Sequence, residues 1–138
     1  ASIQQLWRGE VEPGSEADAV WVHRADGPLV AGVLTADCVP VLLADREGTA
    51  VAAVHSGWKG TVANIVGEAV RVLGRYAPVE TLVAAIGPCI EVGAFEVGEE
   101  VAAQFGAEFV TRGEVRPRVS SSPRAMVDLP VCPSAEVM

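Results

Sequence analysis

Val30–Gly60 reads VAGVLTADCVPVLLADREGTAVAAVHSGWKG, and its pattern decides how the rest of the chain is read. Two apolar, β-branched runs each end in a reactive residue. The first carries Asp37 and Cys38, just before Pro40. The second delivers His55, followed by the loop Ser56-Gly57-Trp58-Lys59-Gly60. A thiol and an imidazole at the ends of two short strands are candidates to meet, as nucleophile and base or as two ligands of one metal.

Outward from this stretch, strands are expected over Asp18–His23, Leu29–Thr35, Val39–Ala44, Thr49–Val54 and Thr81–Ile86. Asp45-Arg46-Glu47-Gly48 reads as a hairpin connection. Thr49–Val54 is apolar on both faces, which suits a central strand. Val62, Ile65, Val66, Ala69, Val70 and Leu73 recur at helical spacing, so one helix is expected over Thr61–Tyr76, stopped by Ala77-Pro78. Gly87-Pro88-Cys89 breaks the next strand, and Glu99–Phe105 reads as a short helix. Pro13-Gly14-Ser15 and Asp26-Gly27-Pro28 read as turns. Arg112–Arg124 reads as loop or edge strand, and the tail PVCPSAEVM has no period. Strands outnumber helices and hairpin-length loops join several of them. The expectation is an α+β or α/β sandwich of mixed sheet and helices, not a doubly wound parallel fold.

The chain has 138 residues, half of them apolar, which suits a single domain with a real core. No apolar run approaches the length of about 20 residues that a membrane helix needs. The first residues lack a basic end followed by an apolar core, so no signal peptide is expected and the location expected is cytoplasmic. Net charge is −8, with ten basic against eighteen acidic residues. That disfavours nucleic acid or an anionic membrane as partner. It still allows a small phosphate in a locally positive pocket. Cys38, Cys89 and Cys132 are too few for a disulfide framework.

Cys38 and His55 each have a bland reading, as a small core thiol and a satisfied core imidazole. Asp37 beside Cys38 argues otherwise, because a buried acid needs a partner, and Pro40 puts the thiol at a strand end. The loop Gly57, Trp58, Lys59, Gly60 runs into a helix, where unpaired N–H groups and one ammonium suit a phosphate or carboxylate. Trp58 offers a flat face to a base or sugar. Alternatively the glycines only allow the turn, the indole fills the core and Lys59 is solvated. If Cys38 and His55 bind zinc, Cys89, His23 and Asp37 are the candidates for a third ligand.

TADCVPVLLAD, AVAAVHSGWKG and AAIGPCIEVGAFEVGEEV, in that order, resemble the laccase-domain family, whose members are also described as polyphenol oxidoreductases, peptidoglycan editing factors and purine nucleoside phosphorylases. The resemblance covers roughly residues 18–105. It implies an α+β sandwich shared with cysteine hydrolases, and zinc held by a histidine, a cysteine and a second histidine. Cys38 and His55 match the cysteine and the second histidine. Lys59 stands where arginine is usual, keeping the charge but losing the two-pronged grip on an oxyanion. The first histidine falls on Trp7, in Gln5-Leu6-Trp7-Arg8, and Glu91–Phe95 lacks the family's cysteine pair and tyrosine. Family members also run longer at both ends, so the chain is expected to be one laccase-like domain over 1–138 without those parts.

The reading that follows is a zinc-dependent purine nucleoside phosphorylase, able also to deaminate adenosine. Its partners would be a purine nucleoside and phosphate, with a homo-oligomer as a further expectation. Catalysis falls to Cys38, His55 and Asp37, metal binding to Cys38 and His55, and phosphate binding to Gly57, Trp58, Lys59 and Gly60. The alternatives are a Cys–His hydrolase of an amide-type cell-wall precursor, a copper polyphenol oxidase and a catalytically broken scaffold. Copper chemistry of the multi-copper kind asks for many histidines, and the chain has two.

Overall fold

The computed structural model describes residues 2–5, 14–111 and 124–127. Trp7, Pro13, Cys132, the stretch 112–123 and the tail from Pro130 lie outside the described residues. A five-stranded sheet runs in the spatial order Ile3–Gln5 (β1), Ala19–His23 (β2), Ala50–Ser56 (β4), Val39–Asp45 (β3) and Leu82–Ile86 (β5). β1 and β2 are parallel and the other neighbours antiparallel. β4 is the central strand, as its two apolar faces require; Ala53 and Val54 are wholly buried. Glu96–Gly98 (β6), Val110–Thr111 (β7) and Arg124–Val127 (β8) make a second, three-stranded sheet in the order β6-β8-β7. The architecture is the expected α+β arrangement of mixed sheet and helices.

Trp58–Val62 (α1) and Ile65–Leu73 (α2) follow β4, and Glu99–Ala102 (α3) follows β6. α2 lays Ile65, Val66, Ala69, Val70 and Leu73 against Trp21, Val41, Leu43, Ala52 and Val54 of the sheet. Val97 and Val127 from the second sheet and Ala102 from α3 complete this core. Among the described residues, no helix is long and apolar enough to cross a membrane.

Two expectations need correction. Leu29–Thr35 is not a strand: it is irregular, and Val30 and Leu34 are 88% and 97% exposed. The apolar run satisfies the composition of a strand, but both sides of β3 are already taken by β4 and β5. The helix over Thr61–Tyr76 is two helices. It starts earlier, at Trp58, breaks after Val62 and ends at Leu73. Asn64 causes the break. It adopts the left-handed conformation (φ 54°, ψ 47°) and its side chain accepts the Gly67 N–H, capping α2. Val62, at the end of α1, therefore turns to solvent.

Asp45 fixes the β3–β4 hairpin. One carboxylate oxygen accepts the N–H groups of Thr49 and Ala50, both at 2.7 Å, and the other accepts that of Glu47 at 3.0 Å. Gly48 supplies the positive φ (65°) the turn needs. Burial alone would raise the Asp45 carboxyl. The three backbone donors and the Thr49 side chain outweigh it and hold the group below the usual carboxylate range. A depressed folded-state pKa contributes stability that is full above about pH 4 and lost as pH falls through the folded value. Asp45→Ala is expected to cost roughly 2–4 kcal/mol at neutral pH, from three charge-assisted bonds broken. The loss should shrink in acid. Urea midpoints of both proteins at pH 7 and pH 3 test this; an equal gap at the two pH values would contradict it.

Candidate active site

The hairpin register builds the site. Pro40 pairs with His55 and Val39 with Ser56, so one step further along brings Cys38 opposite Gly57. On the other side of β4, Ala19 pairs with Val54, and the His55 N–H donates to the Asp18 carbonyl at 2.7 Å. Asp18, His55, Gly57 and Cys38 thus gather at one end of the sheet. A third segment arrives there too: the Gly87 N–H donates to the Pro40 carbonyl and the Ile90 N–H to the Asp37 carbonyl, each at 2.9 Å.

The Gly57 position shows how close the two reactive groups come. A Cβ added there would lie 3.1 Å from Cys38 Sγ and 3.8 Å from His55 Nε2. The thiol and the imidazole therefore flank one point, and a side chain there would crowd the thiol. The other ring nitrogen, His55 Nδ1, lies 3.6 Å from the Asp18 carboxylate. Asp18 was not legible as a site residue. Its approach to His55 depends on β2 pairing with β4, two strands that are not consecutive.

Gly57 has ordinary extended backbone (φ −75°, ψ 176°), so a side chain there meets crowding rather than backbone strain. Gly57→Ala should leave the thermal midpoint within a few degrees of the parent. It should cut turnover roughly tenfold to a hundredfold, because a displacement of order 1 Å at reacting groups has that effect. Turnover and thermal unfolding measured on the same preparation check this; equal turnover would show that the gap is not used.

The remaining candidates are placed as follows. Asp37 is exposed, so the argument from a buried acid does not hold. Burial pushes the Cys38 thiol up, and the Asp37 charge pushes it further the same way. Cys89 lies on the neighbouring segment, packed against the core, and no disulfide joins it to Cys38. His23 is at the opposite end of the sheet, paired with Ala50; its Nδ1 accepts the Ala25 N–H and its ring packs on Tyr76. It cannot be a third ligand beside His55.

Trp58 is half-buried and packs on the core, while Lys59 is exposed with its Nζ 5.5 Å from the indole centroid, a cation–π distance. Gly60 is buried, and a Cβ there would meet Ile65 Cγ2 at 3.2 Å, so it lets α1 sit close to α2. The buried hydroxyls of Ser56 and Thr61, 2.9 Å apart, tie β4 to α1.

Residues 2–137 match the family model for the multi-copper polyphenol oxidoreductase laccase. The chain belongs to this family. Among its relatives, an adenosine deaminase RL5 from an unknown prokaryotic organism is 38% identical over 121 residues, which is 87% of this chain and 46% of that protein. The purine nucleoside phosphorylase YfiH of Escherichia coli is 41% identical over 99 residues, 72% of this chain and 39% of its own. A solved structure, Neisseria meningitidis protein NMB0706, superposes with a TM-score of 0.67 at 27% identity, covering 99% of this chain and 58% of that one. YlmD from Geobacillus stearothermophilus shares the fold with a TM-score of 0.68 at 24% identity, over 99% of this chain and 53% of its own. The chain spans less than half the length of the two sequence relatives.

Membership raises the question of a metal. Cys38 and His55 offer one sulfur and one nitrogen donor of the kinds zinc takes, but a catalytic zinc needs three protein ligands. Among the described residues no set of three His, Cys, Asp or Glu side chains could hold an ion. That donor set is incomplete for zinc. It fits a multi-copper centre still less, since the laccase-family chain has two histidines and they sit at opposite ends of the β2–β4 ladder.

Proposed function

We propose that this chain acts on a purine nucleoside as a single laccase-like domain, cleaving the glycosidic bond with phosphate. One observation carries the reading: His55 Nε2 and Cys38 Sγ both come within 4 Å of the Cβ position at Gly57. The names of relatives, purine nucleoside phosphorylase and adenosine deaminase, supply the substrate class. A phosphate oxygen forms the new bond to C1′ of the ribose, and the C–N bond breaks with its electron pair on the purine. His55 takes up the proton of the attacking phosphate and returns it to the purine nitrogen. Lys59, an exposed ammonium beside the site, draws the phosphate in. Trp58 presents its uncovered part to the sugar or base. Zinc on Cys38 and His55 enters this proposal only with a third donor from outside the described residues.

Incubation with adenosine or inosine plus phosphate tests the proposal, with free base and ribose 1-phosphate as products. No free base, while a longer relative assayed in parallel releases it, would end the reading. Inosine and ammonia from adenosine would instead mark deamination. A Cys–His hydrolase is the second reading, favoured by Asp18 lying 3.6 Å from His55 Nδ1 while His55 Nε2 and Cys38 Sγ flank Gly57. Against it stands the raised thiol, which lowers the thiolate fraction that attacks.

A further inference from the structure

The two histidines meet opposite groups at Nδ1, a carboxylate for His55 and an N–H donor for His23. We propose that Asp18 is a positioning residue that fixes the proton of neutral His55 on Nδ1, so that the Nε2 lone pair faces Cys38 and the gap at Gly57. Three observations carry it. The Asp18 carboxylate lies 3.6 Å from Nδ1, close enough for a charge to favour a proton there. The nitrogen on the Gly57 side, 3.8 Å from a Cβ built at that position, is Nε2. The backbone bond from His55 N–H to the Asp18 carbonyl, 2.7 Å, holds the two residues side by side. Histidine in water prefers the proton on Nε2, so Asp18 reverses the default. A proton on Nε2 would point a donor at a thiol that is itself protonated. A proton on Nδ1 leaves an acceptor there, able to take a proton from thiol or substrate or to bind a metal ion.

His23 is the internal contrast. Its Nδ1 accepts the Ala25 N–H at 3.1 Å, so its neutral ring carries the proton on Nε2. One protein therefore holds two neutral histidines in opposite tautomers.

The test is long-range nitrogen–proton correlation NMR on protein labelled with nitrogen-15 in histidine, at a pH where both rings are neutral. His23→Gln assigns the two spin systems. The expected result is a protonated Nδ1 in His55 and a protonated Nε2 in His23. Asp18→Ala should move His55 toward the Nε2–H form and leave His23 unchanged, while Asp18→Asn, which keeps an acceptor oxygen, should fall between. A parent protein whose His55 carries its proton on Nε2 overturns the inference, whatever the variants do. So does an Asp18→Ala protein with an unchanged His55 pattern. The importance of this tautomer for turnover rests on the proposed function, but its measurement does not. A protonated Nδ1 together with no nucleoside cleavage would sink the functional reading alone.

Discussion

His55→Ala should lower nucleoside phosphorolysis by roughly 10²–10⁴-fold, the range lost with a general acid–base group. The fold should survive, because the ring is a third exposed and its main chain carries the β-ladder bonds. Release of base from inosine at saturating phosphate, followed by chromatography, gives the rate. His23→Gln is the control, since His23 sits at the far end of the sheet. It should retain most of the activity. If His55→Ala keeps more than a tenth of the parent rate, the convergence at Gly57 is structural and catalysis lies elsewhere. The thiol and imidazole at Gly57 would then have no part in the nucleoside chemistry.

The second large effect concerns the metal. Cys38 and His55 are two donors, and the family resemblance puts Trp7, outside the described residues, where a histidine stands in other members. An indole offers no ligand to zinc. Trp7→His is therefore expected to tighten zinc binding by about 100-fold or more. Losing even an outer-shell partner of a zinc ligand costs 10–100-fold, and a ligand itself should matter at least as much. Competition against a chromophoric chelator measures the affinity of parent, Trp7→His and Trp7→His with Cys38→Ala. The double variant should fall back to the parent value or below. If the parent already binds zinc as tightly as Trp7→His, a third donor is present that the described residues do not contain.

Much of the sheet was legible because its signals are local. Val39–Asp45 and Ala50–Ser56 are apolar runs joined by a turn with Gly48, a pattern that favours a hairpin. The helix break was harder to see. The stripe Val62, Ile65, Val66 has helical spacing straight through Asn64, and only the left-handed backbone of that residue interrupts it. Leu29–Thr35 failed for the opposite reason: composition was right for a strand, but pairing needs a free neighbour, which β3 does not have. Trp58 shows a third case. The ring is half-buried and packs on the core, as the core-filler reading expects, and the part left uncovered is what a ligand platform would use.

What this sequence determined alone was the hairpin, and with it the approach of Cys38 to the loop after His55. Hairpin register is set within one short stretch, so residues on its two arms meet by counting from the turn. Only the tertiary structure decided that Asp18 stands beside His55, that His23 is remote, and that Asp37 faces water. Those facts depend on which strands lie next to β4 and on what covers each face. Such long-range choices come from burial of the whole core, which no local run of residues encodes.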